Sequence, residues 1–236
     1  MSIEKTTGQL KDLARHFGAS AVGVCRTEKL VERFHPEIRE TAKKLPFAVS
    51  IGIALQPVVL KTIIDRPNFM YKSHYRATNT QLDNITYRLA QWISDLDHKA
   101  MPIPASMVLQ RFPMIGHVNH REVAHTAGLG WQGKNNLLIN REYGSRLRLT
   151  TLLTDLELIA DKIEDRDCGQ CKACLRKCPT EAIGETPEQF DLQKCRDQVV
   201  RFSKENNFGL LICGLCLNCC PPPKKEKTDN GQTTAD

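Results

Sequence analysis

Residues 168–179 read Cys168-Gly-Gln-Cys171-Lys-Ala-Cys174-Leu-Arg-Lys-Cys178-Pro179, and this stretch organises the rest of the chain around it. Three cysteines stand three positions apart, and a fourth follows after three residues, just before a proline. Thiolates at that interval in a tight loop can all face one iron–sulfur cube. The fourth is carried away on the helix start that a proline permits, and ligates a second cube. A matching set lies downstream: Cys195, then Cys213, Cys216 and Cys220 ahead of Pro221. The spacing predicts two 4Fe–4S clusters. One takes Cys168, Cys171, Cys174 and Cys220; the other takes Cys178, Cys195, Cys213 and Cys216. Zinc and disulfides are the rival readings. Zinc prefers two separated Cys-x-x-Cys pairs, in which the third cysteine of this run has no task.

The chain has 236 residues and ten cysteines, nine of them between Cys168 and Cys220. Cys219 is left without a partner in this scheme, although it could replace Cys220. Cys25 sits alone in an apolar stretch and reads as a core thiol. At 41% hydrophobic and 25% charged, the composition excludes a mainly disordered chain, a collagen-like repeat and a membrane bundle. Lys and Arg outnumber Asp and Glu by 33 to 27, and a net charge of +6 permits an anionic partner without demanding one. The charged N-terminus lacks the apolar run of a signal peptide, and no stretch is long enough to span a membrane. The expectation is a cytoplasmic, reducing setting with no membrane partner, where dense thiols mean metal. The polar tail, with Lys224, Lys225 and Lys227, is expected to be disordered and solvated.

Leu10, Leu13, Ala14 and Phe17 fall at helical spacing before Gly18, and apolar runs of strand length follow at 19–25 and 47–55. Leu82, Ile85, Leu89, Ile93 and Leu96 mark one face of a long helix, opened by the polar segment 75–79. Residues 104–109, 137–139 and 147–153 read as strands, and 121–126 as a helix ended by Gly128. Alternation of this kind predicts a mixed-sheet α/β sandwich over residues 1–160. Residues 156–166 bridge to a ferredoxin-like double 4Fe–4S module, 161–222, and 223–236 form the tail. A free electron carrier would need only the second part. The residues ahead of it imply that electrons are delivered somewhere.

Gly128-Leu-Gly130-Trp131-Gln132-Gly133-Lys134-Asn135 satisfies G-x-G-x-x-G and nearly satisfies the phosphate-binding G-x-x-x-x-G-K pattern. Both patterns require a strand before the glycines and a helix after them. Here a polar helical segment precedes and a strand follows, and Asn135 replaces the magnesium-holding Ser or Thr. A nucleotide site is therefore not the expectation. The glycines either let the backbone approach a large flat ligand or turn the chain.

Residues 127–155, AGLGWQGKNNLLINREYGSRLRLTTLLTD, taken with CGQCKACLRKCPTEAI and CGLCLNCCP, resemble the epoxyqueuosine reductase family, whose wider relatives include the reductive dehalogenases. AVGV at 21–24, FAVSIGIAL at 47–55 and MYKSHYRATNTQLDNI at 70–85 fit the same layout. The resemblance implies cobalamin beside two 4Fe–4S clusters and a reductive cleavage. It also implies a corrinoid pocket drawn from Gly128, Gly130, Trp131, Gly133, Lys134, Asn135, Asn136, Tyr143, Gly144, Ser145 and Arg146. Met114 stands where the family's proton-donating acid is expected, and the family's helical-repeat extension, helpful for tRNA, has no counterpart here. The chain thus resembles a short paralogue. His117, His120 and Tyr75 are candidate substitute proton donors, with His125 and His74 behind them.

The expected function is an iron–sulfur oxidoreductase passing electrons through both clusters to a cobalamin-type cofactor. A ferredoxin or flavodoxin would supply them, and the substrate would be a small molecule or a corrinoid protein. A non-catalytic electron-transfer or corrinoid-reactivating protein is one rival. A tRNA-modifying epoxyqueuosine reductase proper is the other.

Overall fold

The structure, a computed structural model, describes residues 2–110, 115–220 and 222. Met114, Pro221 and the tail expected to be disordered lie outside these. Helix α1 (Ile3–His16) is capped by Ser2, whose side chain accepts the Lys5 amide, and it buries Leu10 and Ala14. Then come β1 (Ala21–Arg26), α2 (Pro36–Ala42), β2 (Phe47–Ala54), α3 (Pro57–Lys61) and α4 (Phe69–Ser94). They are followed by β3 (Ala100–Ile103), α5 (His120–Thr126), β4 (Trp131–Gln132), β5 (Leu138–Ile139) and β6 (Leu147–Thr154). The cysteine region adds α6 (Ala173–Lys177), α7 (Leu192–Lys204) and α8 (Leu215–Asn218).

Four strands form one sheet in the order β1-β2-β6-β3, and every neighbouring pair is antiparallel. The expected mixed sheet is therefore corrected: the class is α/β, but this sheet has no parallel pair. The reason is visible at residues 27 and 46. The Thr27 amide donates to the Pro46 carbonyl at 2.9 Å, and its hydroxyl to the Leu45 carbonyl. Residues 27–46, α2 included, thus close a long hairpin instead of crossing the sheet, and no parallel neighbour arises.

Two further expectations shift. Helix α4 begins well before the polar segment 75–79, because Asn68 caps it by accepting the Tyr71 amide at 2.9 Å and Thr78 and Asn79 are buried. The strand expected at 104–109 lies earlier, in β3. Beyond Ile103 the chain leaves the ladder, since the Ala105 amide turns to Asp83 Oδ1 at 2.8 Å and the Pro104 carbonyl to His120.

Side chains alternate across the sheet. Val22, Val24, Phe47, Val49, Ile51 and Leu152 pack under α1 and α4, with Leu82, Ile85, Leu89 and Ile93 from α4 itself. Cys25, Ala48 and Leu153 face the other way, toward Val123 of α5 and the segment around α2. Residues 156–166 run along the β1 edge without regular structure. Asp161 accepts the Val24 amide at 2.8 Å, returns its own amide to the Val24 carbonyl, and holds Lys11 Nζ at 2.6 Å. The opposite edge strand, β3, carries Pro102 in its middle.

The cysteine region does not stand apart. Phe202, Phe208, Ile212, Leu215 and Leu217 share one apolar cluster with Leu55, Leu60, Ile63 and Tyr71 from the first part of the chain. Among the described residues no helix is long and apolar enough to cross a membrane.

Candidate metal centre

All ten cysteines are free thiols. Cys174 lies on α6, Cys178 ends that helix, Cys195 lies on α7 and Cys216 on α8. Electrostatics sorts them into two neighbourhoods that meet at Cys216. Burial, and after it the charges of Cys219, Cys220, Cys168 and Cys171, push the Cys174 thiol up to about 11. Burial also raises Cys213 to about 11, with Cys195 and Cys178 as its charged neighbours, and raises Cys216 well above the ordinary thiol value. Bare thiolates are thus penalised here by desolvation and mutual repulsion, two costs that a cationic iron core relieves. Cys219 belongs with the first neighbourhood: burial and the adjacent Cys220 charge raise it to about 11. Cys25 is remote from both, and burial raises it to about 12, as befits an inert core thiol.

Cys178, Cys195, Cys213 and Cys216 all line one cavity of about 350 Å³. Asn135 Nδ2 and Gln198 Nε2 are buried without a hydrogen-bond partner, and both residues belong to that wall. Four thiols around open space, with unspent N–H donors beside them, suit a sulfur-rich cluster that accepts hydrogen bonds. Among the described residues no three His, Cys, Asp or Glu side chains converge on a single-ion point. Thiolates sharing one zinc would stand only about 3.8 Å apart, given Zn–S bonds of about 2.3 Å.

A second cavity, about 480 Å³, shares Arg121, Leu137, Leu147 and Arg148 with the first. Its wall mixes Leu137, Leu138, Leu147 and Leu149 with Arg33, Arg121 and Arg148, so it offers apolar contact and positive charge to one ligand. Arg148 Nε donates to Asn79 Oδ1 at 3.0 Å and Nη2 to the Ala105 carbonyl at 3.3 Å, and its guanidinium lies 4.3 Å from the Tyr75 ring centre. Arg121 donates to the Asn136 carbonyl; burial lowers its pKa, and the nearby Cys195 opposes that shift. Reading the sequence missed both arginines. The available signal was Arg148 itself, a charge inside the otherwise apolar and hydroxyl-bearing run LRLTTLLT.

The glycine loop is preceded by α5, contains β4 and leads into β5, the reverse of a nucleotide loop. Gly128 (φ 72°) and Gly130 (φ 148°) are required by close approach of the chain to itself. A Cβ would come within 2.4 Å of the Lys162 carbonyl oxygen at the first and 2.0 Å of the Ile139 oxygen at the second. Of the residues expected to hold a corrinoid, Asn135, Asn136 and Ser145 face the thiol cavity. Gly128, Gly130 and Gly133 back onto residues 139 and 162 and their surroundings instead, and Trp131 is buried on the ladder to Ile139. Tyr143, Gly144 and Arg146 form a turn, with Arg146 Nε bonded to the Tyr143 carbonyl at 3.0 Å and Gly144 bridged to Asn140. Lys134 points at the first cysteine loop, donating to the Gly169 carbonyl at 2.8 Å and the Cys171 carbonyl at 3.2 Å.

The proton-donor candidates separate clearly. His120 lines the second cavity, but both ring nitrogens are engaged: Nε2–H donates to the Pro104 carbonyl at 3.1 Å, and Nδ1 accepts from Thr151 Oγ1 at 2.8 Å. Burial lowers its pKa to about 4, so it stays neutral and structural near pH 7. His117 sits 3.4 Å from Glu37, against α2, and lines neither cavity, although its neighbours Gly116 and Val118 line the second. His74 accepts the Gln56 amide at 3.0 Å, and burial lowers its pKa. His125 Nδ1 is bonded to the Gly130 carbonyl at 2.8 Å. Tyr75 lines the thiol cavity beneath the Arg148 guanidinium.

No family profile matches the chain. An epoxyqueuosine reductase of Gloeobacter violaceus is 35% identical in a 249-residue alignment that covers 92% of this chain and 76% of the relative. Among solved structures, a catabolic reductive dehalogenase in complex with 3-bromo-4-hydroxybenzoic acid is similar with a TM-score of 0.74 at 20% identity, over 93% of this chain and 32% of its own. An epoxyqueuosine reductase with an epoxyqueuosine-modified tRNA-Tyr stem loop gives 0.62 at 22%, over 93% and 66%. The two solved structures establish likeness of fold, and the chain spans under two thirds of each. Taken with the sequence match along most of its length, they lead to one assignment: the chain belongs to the epoxyqueuosine reductase family.

Proposed function

We propose that this chain is an iron–sulfur reductase with two 4Fe–4S clusters and a cobalamin-type cofactor. Residues 1–160 would hold the corrinoid and residues 161–222 the clusters, in a reducing cytoplasm and with a ferredoxin or flavodoxin as electron donor. The observation that carries the reading is the cavity walled by Cys178, Cys195, Cys213 and Cys216, which shares four residues with a larger cavity against α5 and β6. When bound, the clusters supply one-electron carriers and the corrinoid a reducible cobalt.

The protein's own contribution is binding, exclusion of water and placement of charge. Cys168, Cys171, Cys174 and Cys220 hold the first cluster, and the cavity thiols the second. Asn135 and Gln198 have free N–H groups to give the second cluster or its neighbour. Leu137 and Leu147 give the shared wall its apolar surface, and Arg121 and Arg148 place positive charge in it. Tyr75, its ring under Arg148, lines the thiol cavity and is the proton-donor candidate whose side chain faces it. The substrate is a small molecule or a corrinoid protein.

Anaerobic reconstitution followed by iron and cobalt analysis tests the reading. About eight irons per chain and saturable corrinoid binding are expected. A colourless, iron-free product overturns it, and two clusters without corrinoid affinity remove the corrinoid half. A tRNA substrate is the second reading, favoured by the relative with a tRNA stem loop. It requires salt-sensitive binding of a tRNA, and a mobility-shift assay with none dismisses it.

A further inference from the structure

Lys134 is one of the glycine-loop residues expected to line a corrinoid pocket, and it lines neither cavity. Its side chain is only 9% exposed. Nζ lies 2.8 Å from the Gly169 carbonyl and 3.2 Å from the Cys171 carbonyl, both in the loop that carries Cys168 and Cys171. A buried ammonium is costly unless negative charge compensates it. The only carboxylate within reach among the described residues is Glu185, at 3.8 Å, and Glu185 is half exposed and bonded to Lys172 at 2.7 Å. Two neutral carbonyls and a shared carboxylate leave most of the Lys134 charge unanswered. The group that completes the balance must be anionic and must sit on this loop. A cluster held by four thiolates meets both conditions.

We infer that Lys134 is a positioning residue for the first cluster: it fixes the Cys168–Cys171 loop and, as a buried counter-cation, raises that cluster's reduction potential. This rests on the cluster reading above. One-electron reduction adds one negative charge to the cluster, and a fixed cation nearby stabilises the reduced form more than the oxidised one. The ammonium gives up no proton and forms no bond to iron. Its two hydrogen bonds also tie the glycine loop to the cysteine loop.

Redox titration of the anaerobically reconstituted full chain, followed by electron paramagnetic resonance, tests the inference. The first cluster's signal is identified by its loss in Cys171→Ser. Lys134→Met should make reduction of that cluster at least tenfold less favourable, about 59 mV for one electron, and leave the second cluster unmoved. Lys134→Arg keeps the charge and should restore the potential to within threefold of the equilibrium constant. Glu185→Gln removes the competing negative charge and should shift the same cluster the other way. An unchanged first cluster in iron-replete Lys134→Met, or equal shifts in both clusters, overturns the inference. Should Lys134→Met fail to take up iron, Glu185→Gln decides, and no shift there overturns it. A wild-type chain without iron fails earlier, at the iron count, and overturns the cluster reading instead.

Discussion

In β2 every residue from Phe47 to Gly52 is buried, and Leu152 and Leu153 of β6 have no exposed surface. Between Cys168 and Cys195, by contrast, only Ala182 and Ile183 are buried, and regular structure shrinks to one five-residue helix and one short 3-10 turn ahead of α7. The first region is stabilised by apolar area removed from water. The second cannot be, because so little of it is apolar and covered. On the proposed reading its ordering entropy is offset by bonds to metal, as in small metal-dependent domains.

The largest effect that follows is a split response to metal removal. Chelation should leave fast amide exchange throughout 168–195 and slow exchange in β2 and β6, and equal loss of protection in both would erase the contrast. Cys216→Ser sharpens it locally: iron content should fall by about half, with one cluster signal gone. Next comes Leu152→Ala, which opens a cavity in the sheet core and should cost about 2–5 kcal/mol in thermal or denaturant unfolding. Iron stoichiometry should be normal at low temperature.

The third effect is a pH dependence confined to the sheet region. The folded-state pKa of His120 is lowered to about 4 from an ordinary 6.5, so the unfolded chain binds the extra proton between those values. Stability is therefore full above pH 6.5 and falls as pH drops toward 4, by about 2 kcal/mol at pH 5. The His120→Gln variant should lose this slope in melts between pH 7 and pH 5. The smallest effect belongs to the strap over β1. Asp161→Asn weakens a partly exposed pair with Lys11 but keeps an acceptor for Val24, so about 1 kcal/mol or less is expected.

The strands β2 and β6 were legible because their apolar runs are continuous and bounded, β2 by Pro46. Their direction was not. Periodicity is identical in parallel and antiparallel neighbours, and what decides is the Thr27–Pro46 closure, a contact across 19 positions. The start of α4 was hidden for a related reason: its first two turns bury Tyr71 and expose Phe69 and Met70, which blurs the apolar stripe. The cysteine pattern was legible as a local spacing, and the fold brings Cys178, Cys195, Cys213 and Cys216 to one cavity. Lys134 was visible as part of a motif, yet its partner carbonyls lie 35 and 37 positions away, and nothing in G-K-N says which loop the ammonium faces. Arg121 and Arg148 become site residues only when α5 and β6 are laid side by side.

The two margins of the sheet have a consequence for how the molecule meets its own copies. On one side Asp161 occupies the outward backbone groups of Val24; on the other, Pro102 presents no amide hydrogen. Strand-by-strand polymerisation needs an unbroken row of such groups. With one row broken at Val24 and the other at Pro102, neither edge offers an unbroken template, and crowded chains are guarded against stacking into fibrils through this layer.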